Sequence, residues 1–489
     1  MPLTSLNDEQ LSAATAPLGH NLIIASAGTG KTSTIVGRIA HLLHKGTEPS
    51  KILLLTFTNK AAGEMIARLE RYFPKKIVSK IESGTFHAVS YRWLKEIYPN
   101  LALKQPSELK TLFRSIYEKR NFERMNLTMQ PFSATYLYEM YSLYQNASLE
   151  SFDVWFLEKY PDHELVMDIY MDITQEFEKE KIDYGFASFN DLLLRMKSHL
   201  EENTIFFEEV LVDEYQDTNT LQSALIDVLK PKSLFCVGDY DQSIYAFNGA
   251  NIENIATYST RYPNASVFTL KTNYRSTAPI LSLANRVIER NERIYPKKLE
   301  VGRDVKSYPP KLLMYNDLFE QYQSIAEGIK RTHVPNDQIA VIFRNNSSAD
   351  GVEASLREYG IPCKRKGGTS FFDAKEIKFL LDLLSLLVNP KDMMAFIHVF
   401  EYASGVGSAL SKEFFQCFLH FGNGNFMQGV LYPKVKDLPK LNPNKNVQLG
   451  LFDDDHEIGS ATRFKHLDLP HEIYGHPLLK HPKVIQDGV

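Results

Sequence analysis

Asn21-Leu-Ile-Ile-Ala-Ser-Ala-Gly-Thr-Gly-Lys-Thr32 joins an apolar strand pattern to a loop of small residues and to the start of an amphipathic helix. Backbone N–H groups in such a loop, together with the helix N-terminus, point at the phosphates of a nucleotide. The pattern predicts that Lys31 reaches the β- and γ-phosphates and that Thr32 ligates Mg²⁺. The predicted nucleotide contacts are Ala25, Ser26, Ala27, Gly28, Thr29, Gly30, Lys31, Thr32 and Ser33. We therefore expect the chain to bind a nucleoside triphosphate.

Ala25 departs from the generic phosphate-loop pattern, which has a glycine at this position. Alanine is the smallest residue with a Cβ atom, and it costs little there if its φ is negative. The alternative interpretation is a glycine-rich turn that only connects a strand to a helix. Gly28 and Gly30, followed at once by Lys31 and Thr32, favour the phosphate-binding interpretation.

A second stretch, Val210-Leu-Val-Asp-Glu-Tyr-Gln-Asp217, is an apolar strand pattern that ends in paired acids. Asp213, at the predicted strand tip, can hold the Mg²⁺ that Thr32 also contacts. Glu214 can orient and deprotonate the water that attacks the γ-phosphate. The alternative is an acidic turn after a strand, but the phosphate loop upstream favours a catalytic pair.

The pattern of apolar runs predicts an α/β fold with a parallel, doubly wound sheet. Short continuous apolar runs are typical of strands buried on both faces, and they occur at Leu22–Ile24, Ile52–Phe57, Glu209–Val212, Ser233–Val237 and Val267–Leu270. From about Tyr91 to Tyr184 long amphipathic stretches replace them, which indicates a helical insertion. A further strand is predicted at Gln338–Phe343, and Ile377–Leu387 is apolar nearly all round, which predicts a buried helix.

Composition places the chain among ordinary globular proteins that act away from membranes. The 489 residues are 44% hydrophobic and 23% charged, and the net charge is −4. This charge argues against a uniformly basic coat but leaves room for a local basic groove. No run reaches the ~20 apolar residues of a membrane span, and the N-terminus lacks a secretory signal. Three distant cysteines without metal spacing are typical of a cytoplasmic protein.

Six motifs occur in order: the phosphate loop, Leu54–Ala62, Gly84–His87, Val212–Asp217, Val237–Tyr245 and Thr272–Ser276. Together they resemble the early motifs of UvrD/Rep/PcrA-type superfamily 1 DNA helicases. The resemblance covers about residues 5–410. It implies RecA-like P-loop NTPase architecture and an ATP-driven motor that moves 3′ to 5′ on single-stranded DNA and separates duplex DNA. The implied cofactors are ATP and Mg²⁺, and the implied partners are single-stranded and partly duplex DNA.

The same resemblance implies roles for four further residues at the nucleotide. Gln10 would pair with the adenine edge, and Tyr274 would stack on the base. Gln242 would sense the γ-phosphate, and Arg275 would contact it and stabilise its charge. Gln10 has a structural alternative, since Asn7 and Gln10 have capping-box spacing. Tyr274 and Arg275 could instead be an ordinary surface pair.

Aromatic residues within these motifs are expected to stack on unpaired DNA bases without reading sequence. The predicted DNA-binding residues are Phe57, Asn59, His87, Tyr245 and Phe247. Burial in the core is the alternative for each aromatic side chain. The chain also departs from the family pattern at three positions. Ser33 and Asn248 stand where many members of the family have arginine, and Phe247 stands where they have tryptophan. These departures predict looser base selectivity and weaker stacking on DNA.

The resemblance also implies a domain organisation. Residues 1–90 and 185–278 would form the first RecA-like ATP-binding lobe, with residues 91–184 as a helical insertion. Residues 279–390 would form a partial second RecA-like lobe, and residues 391–489 would begin a second helical insertion.

The later helicase motifs are not found between Asp392 and Val489, so we expect a truncated form of a longer protein. The alternative function is a truncated ATP- and single-stranded-DNA-binding module with little or no turnover. An NTPase without a nucleic-acid role would leave Thr56–Lys60 and Gly84–His87 unexplained. The resemblance is compatible with a role in DNA repair and with one in DNA replication.

Overall fold

The structure is a computed structural model that describes residues 2–431, except 121, 123–128, 247–248, 292–293, 296, 304, 306, 367–373 and 403–405. The predicted stacking residue Phe247 and its neighbour Asn248 therefore lie outside the described residues. The chain divides into two compact units. The first is Met1–Tyr308 with Gly407–Leu410, and the second is Pro309–Val406 with the described residues from Ser411 on.

The first unit is built on a six-stranded parallel sheet. Its strands are β1 (His20–Ala25), β2 (Ile52–Thr56), β3 (Glu82–Thr85), β6 (Glu209–Val212), β7 (Ser233–Gly238) and β8 (Ser266–Leu270). Their order in the sheet is β3-β2-β6-β7-β1-β8. Two short parallel pairs lie outside it: β4 (Ala102–Leu103) with β5 (Phe186–Ala187), and β9 (Thr272–Asn273) with β10 (Glu300–Val301).

Both faces of the central sheet are buried, which explains the continuous apolar runs. Along β1, Leu22 and Ile24 belong to the core on one face, and Ile23 and Ala25 belong to the core on the other. The five predicted strands are confirmed. β3 was not predicted, because its sequence Glu-Ser-Gly-Thr has no apolar run.

Helices cover the sheet and fill the long connection between β3 and β6. The helices of the first unit are α1 (Asp8–Ala14), α2 (Lys31–His44), α3 (Asn59–Leu69), α4 (Lys75–Val78), α5 (Phe86–Ile97), α6 (Pro106–Tyr117), α7 (Ala134–Ala147), α8 (Phe152–Lys159), α9 (Met167–Asp183), α10 (Phe189–Glu202), α11 (Thr220–Leu229), α12 (Glu253–Ala256), α13 (Tyr258–Arg261) and α14 (Ala278–Ile288). The helical character predicted for residues 91–184 is confirmed. Lys181 of α9, with a side chain only 1% exposed, pairs with Asp191 of α10 at 2.7 Å and ties the two helices together.

The helices that the structure describes after residue 309 are α15 (Leu318–Arg331), α16 (Asn346–Glu358), α17 (Lys375–Val388), α18 (Met393–Phe400), α19 (Ser408–Phe421) and α20 (Phe426–Leu431). α15 and α16 pack through Ala326, Val352 and Leu356, which form a small apolar core. The described helices include none long and apolar enough to cross a membrane.

Two sequence predictions for this part of the chain are wrong. A 3₁₀ turn at Asn336–Gln338 is followed by an extended segment that is not assigned as a strand, and Ile342 is 92% exposed. An apolar run becomes a strand only where a neighbouring strand supplies its hydrogen bonds, and the described residues around this segment supply none. Ile377–Leu387 does lie within a helix, α17, but the helix is not buried, since only Leu386 is fully covered.

Candidate nucleotide and nucleic-acid site

The predicted site residues of the first unit gather at one edge of the central sheet. Strands β1, β2, β3, β6, β7 and β8 are parallel, so their carboxyl ends share this edge. The phosphate loop follows β1, Asp213 follows β6, Asp239 follows β7, and Phe57 follows β2. Ligands of open α/β sheets bind at this edge.

The phosphate loop has the backbone that its glycines permit. Gly28 and Gly30 have φ of 81° and 90°, which lie in the left-handed region. A Cβ atom at Gly28 would lie 2.5 Å from Arg275 Cβ, so no other residue fits there. Ala25 is not among the residues with positive φ, as its place in the pattern requires. No described side chain caps the start of α2, so its first N–H groups remain available to an anion.

Two buried amide side chains support the loop. Asn273 Nδ2 donates to the Ala27 carbonyl at 2.6 Å, and the Tyr274 N–H donates to the Gly28 carbonyl at 2.8 Å. Gln10 Nε2 donates to the Thr29 carbonyl at 2.8 Å. The sequence did not assign Asn273 a role, although it stands inside a quoted motif, because its contact with the loop is long-range.

Lys31 and Glu214 form an ion pair at the centre of the site. Lys31 Nζ lies 2.5 Å from Glu214 Oε2, and the two side chains are 12% and 30% exposed. Glu214 has φ 53° and ψ 47°, a left-handed backbone that is costly for a residue with a Cβ atom. Such strain is typical of functional positions, and here it turns the carboxylate back toward the phosphate loop.

The surroundings of Asp213 are those expected of a metal ligand. Its side chain is buried, and its Oδ1 atom has no hydrogen-bond partner among the described residues. Burial, with the neighbouring Glu214 charge, raises the pKa of the Asp213 carboxyl to about 6. A buried carboxylate oxygen without a partner suits a hard cation such as Mg²⁺, which takes oxygen ligands.

Gln216 connects the acids to the next strand, a contact that sequence reasoning missed. Its Nε2 donates to Glu214 Oε2 at 2.9 Å and to Asp217 Oδ2 at 3.0 Å. Its Oε1 accepts from the Asp239 N–H at 2.9 Å. Gln216 therefore fixes the orientation of the Glu214 carboxylate relative to the end of β7.

The remaining nucleotide-side residues lie around the loop. Gln10 forms the capping box with Asn7, so the structural alternative is confirmed, while its adenine contact stays a prediction. Tyr274, 45% exposed, accepts a hydrogen bond from Asn7 Nδ2 at 2.8 Å. Arg275 is exposed beside Gly28, and the Gln242 amide donates to Asp239.

The predicted DNA-side aromatics form two ring pairs at this edge. Phe57, 46% exposed, contacts Tyr245 with ring centroids 4.9 Å apart. His87 packs edge-on against Phe189 at 5.7 Å, and burial lowers the pKa of the His87 imidazole to about 4, so the ring is neutral at pH 7. Phe189 was missed because it lies on α10, outside the quoted motifs. Asn59 Oδ1 accepts a hydrogen bond from the Thr85 N–H.

Comparison with known protein families matches the chain in two consecutive parts. The UvrD/REP helicase N-terminal domain matches residues 6–263, more than half of the chain. The chain belongs to the UvrD/REP helicase family. The UvrD-like helicase C-terminal domain matches residues 268–422 of this family member.

Curated relatives of this UvrD/REP family member include two proteins named ATP-dependent DNA helicase PcrA. The protein from Leuconostoc citreum is 33% identical over 416 residues, which are 81% of this chain and 54% of the relative. The protein from Bacillus subtilis strain 168 is 32% identical over 451 residues, 88% of this chain and 59% of the relative. The putative ATP-dependent DNA helicase YjcD of the same strain is 30% identical over 424 residues, 81% of this chain and 54% of the relative. The chain thus spans little more than half the length of these relatives.

Proposed function

We propose that this chain is an ATP-dependent DNA helicase that moves 3′ to 5′ on single-stranded DNA and unwinds duplex DNA. One observation carries the proposal: the Lys31–Glu214 pair and the Phe57–Tyr245 ring pair lie at the same edge of one sheet. Nucleotide chemistry and base stacking would thus share a rigid support. Family membership and relatives with helicase names point the same way.

In the proposed reaction Lys31 holds the β- and γ-phosphates of ATP, and the N–H groups of the phosphate loop and α2 hold the rest. Glu214 accepts a proton from the attacking water, and Gln216 keeps its carboxylate in place. Because Lys31 and Glu214 contact each other directly, phosphate and carboxylate would compete for the same ammonium group. Nucleotide binding would thereby free Glu214 to act as the base.

Thr32 and Asp213 are the residues that would hold Mg²⁺. Thr32 is in the first turn of α2, and Asp213 offers the buried oxygen without a partner. When bound, Mg²⁺ would neutralise part of the negative charge that develops on the phosphates. Gln10 and Tyr274 would then contact the adenine, while Gln242 and Arg275 would contact the γ-phosphate.

The domain boundaries inferred from the sequence are part of the proposal: lobes at 1–90 with 185–278 and at 279–390, and insertions at 91–184 and from 391. A cytoplasmic location and a role in DNA repair or replication are likewise proposed from family membership.

An unwinding assay with tailed duplexes tests the proposed activity. The 489-residue chain, ATP and Mg²⁺ are combined with matched duplexes that carry either a 3′ or a 5′ single-stranded tail. The proposal expects strand separation that needs ATP and the 3′ tail. Separation that prefers the 5′ tail would contradict the polarity. Tight binding of ATP and DNA without turnover would support the binding-module alternative.

Phe57→Ala should weaken binding of single-stranded DNA by ~1–3 kcal/mol with little dependence on base sequence, because a stacking surface is lost. The free energy of unfolding should change little, since the Phe57 ring is 46% exposed. Fluorescence anisotropy with a labelled oligonucleotide measures the first quantity, and chemical denaturation measures the second.

Tyr98→Ala is the matched control, because Tyr98 is 49% exposed in the same unit but lies away from the carboxyl edge of the sheet, after α5. It should leave DNA affinity unchanged. Unchanged DNA affinity in Phe57→Ala, with a large loss of stability, would make Phe57 a packing residue.

A further inference from the structure

Lys297 is a buried lysine that belongs to none of the sequence motifs. Its side chain is only 1% exposed, and it lies in the segment just before β10. Lysine is almost never fully buried unless its charge is paired, because desolvation of an ammonium group is costly. Its position therefore demands specific partners.

Three of its partners among the described residues lie in the turn that follows β7. The Lys297 ammonium contacts the Asp239 carboxylate, lies 3.3 Å from Asp241 Oδ2, and sits over the Tyr240 ring at 4.7 Å from its centroid. The same turn ends with Gln242, the predicted γ-phosphate sensor. One lysine thus contacts every residue of the turn that precedes Gln242.

Asp239 connects Lys297 to the predicted nucleotide site. Its carboxylate accepts a hydrogen bond from the Gln242 amide. The Ser26 hydroxyl of the phosphate loop is among the groups that lower the pKa of this carboxylate. Burial alone would raise the pKa of the Asp239 carboxyl, but the charge of Lys297 and these hydrogen bonds outweigh burial and lower it. The Asp239 carboxylate therefore stays charged and continues to accept the hydrogen bond from the Gln242 amide.

The chain around Lys297 is itself fixed to the same region. The Tyr240 hydroxyl donates to the Tyr295 carbonyl, and β10 pairs with β9, the strand that leads into Tyr274 and Arg275. The segment around Lys297 is thus bound both to the turn after β7 and to the strand after β8.

We propose that Lys297 is a positioning residue of the ATPase site, which holds Asp239 so that Gln242 and the phosphate loop keep their relative orientation. The proposal rests on the proposed ATPase function. Without the ammonium group, Asp239 would lose its main counter-charge, and the Gln242 amide would no longer be held at a fixed place. Nucleotide could still bind through Lys31 and the loop, but the response to the γ-phosphate would be impaired.

The test compares Lys297→Met with Lys298→Met, because Lys298 is the adjacent lysine and is exposed. Amide hydrogen exchange of residues 239–245 should become faster in Lys297→Met and remain unchanged in Lys298→Met. DNA-stimulated kcat should fall by about 10- to 100-fold in Lys297→Met, the range seen when a supporting contact is lost, while ATP affinity falls much less. Lys297→Arg keeps the charge and should recover part of both effects.

Equal exchange and equal kcat in the two Met variants would overturn the proposal. If Lys297→Met does not fold, the double variant Asp239→Asn/Lys297→Met, which removes both charges, is used in its place and should show the same loss of kcat. Wild-type kcat in that double variant would also overturn it. Absence of ATP turnover in the wild-type chain would instead refute the proposed function, and the exchange data would still decide whether Lys297 positions the turn.

Discussion

Lys31→Ala is expected to reduce ATP turnover by at least about 10²- to 10³-fold, the loss typical when a preorganised positive group at a reacting centre is removed. The Lys31 ammonium is the charged group at the start of α2, directly behind the phosphate loop, and it contacts the Glu214 carboxylate. The fold should remain intact, because Glu214 keeps its contact with Gln216 and with solvent. Turnover is measured by phosphate release, and folding by thermal unfolding.

Lys45→Ala is the matched control for this change. Lys45 ends the same helix on an exposed position, far from the phosphate loop. It should leave both turnover and ATP affinity at the wild-type level. If Lys31→Ala also kept wild-type affinity and turnover, the assignment of the phosphate loop would be wrong.

Glu214→Gln is expected to lower turnover by about 10²- to 10⁴-fold, the size of a lost general base, with nearly unchanged affinity for ATP and Mg²⁺. Amide and carboxylate have the same shape, so the contact with Gln216 and the left-handed backbone at this position can persist. Turnover and the binding of a fluorescent ATP analogue are measured on the same preparation.

Glu208→Gln serves as the control, because Glu208 lies just before the opposite end of the same strand, β6. It should behave as wild type in both measurements. A parallel loss of nucleotide affinity and turnover in Glu214→Gln would make Glu214 a binding group and leave the base unassigned.

The sequence predicts the parts of the site that depend on local chemistry. The phosphate loop needs small residues with positive φ, and glycine is the residue that adopts positive φ most readily. Gly28 and Gly30 can therefore be recognised in the sequence, and both have positive φ in the structure. The acids at the end of β6 can likewise be predicted, because they directly follow the apolar run of a buried strand. The roles of these residues in catalysis stay predictions.

The supporting contacts could not be predicted, because they join distant parts of the chain. Asn273 donates a hydrogen bond to the loop after β1, and Gln216 accepts one from the backbone after β7. Lys297, in the segment before β10, contacts the Asp239 carboxylate. A lone amide or lysine in a sequence says nothing about its partner until the sheet order is known. The strand order of the sheet supplies this information.

The two wrong predictions have a related cause. The apolar pattern of residues 338–343 indicates a strand and that of α17 indicates burial, but both outcomes depend on neighbouring segments. Leu380, Leu384 and Leu387 of α17 are 55%, 57% and 67% exposed. Hydrophobic pattern specifies what an element can bury, and only tertiary contacts decide whether it does.

The central claim is that a nucleotide site and a DNA-stacking surface lie on one sheet and act together. ATP hydrolysis measured with and without single-stranded DNA tests this claim most directly. The assay uses the 489-residue chain, Mg²⁺, and an unstructured oligonucleotide, with Lys31→Ala and Phe57→Ala beside the wild type. The account predicts that DNA raises the wild-type rate of hydrolysis and that Lys31→Ala lowers this rate by at least about 10²-fold. It also predicts that Phe57→Ala needs a higher DNA concentration to reach the stimulated wild-type rate. A wild-type rate that is the same with and without DNA would contradict the account.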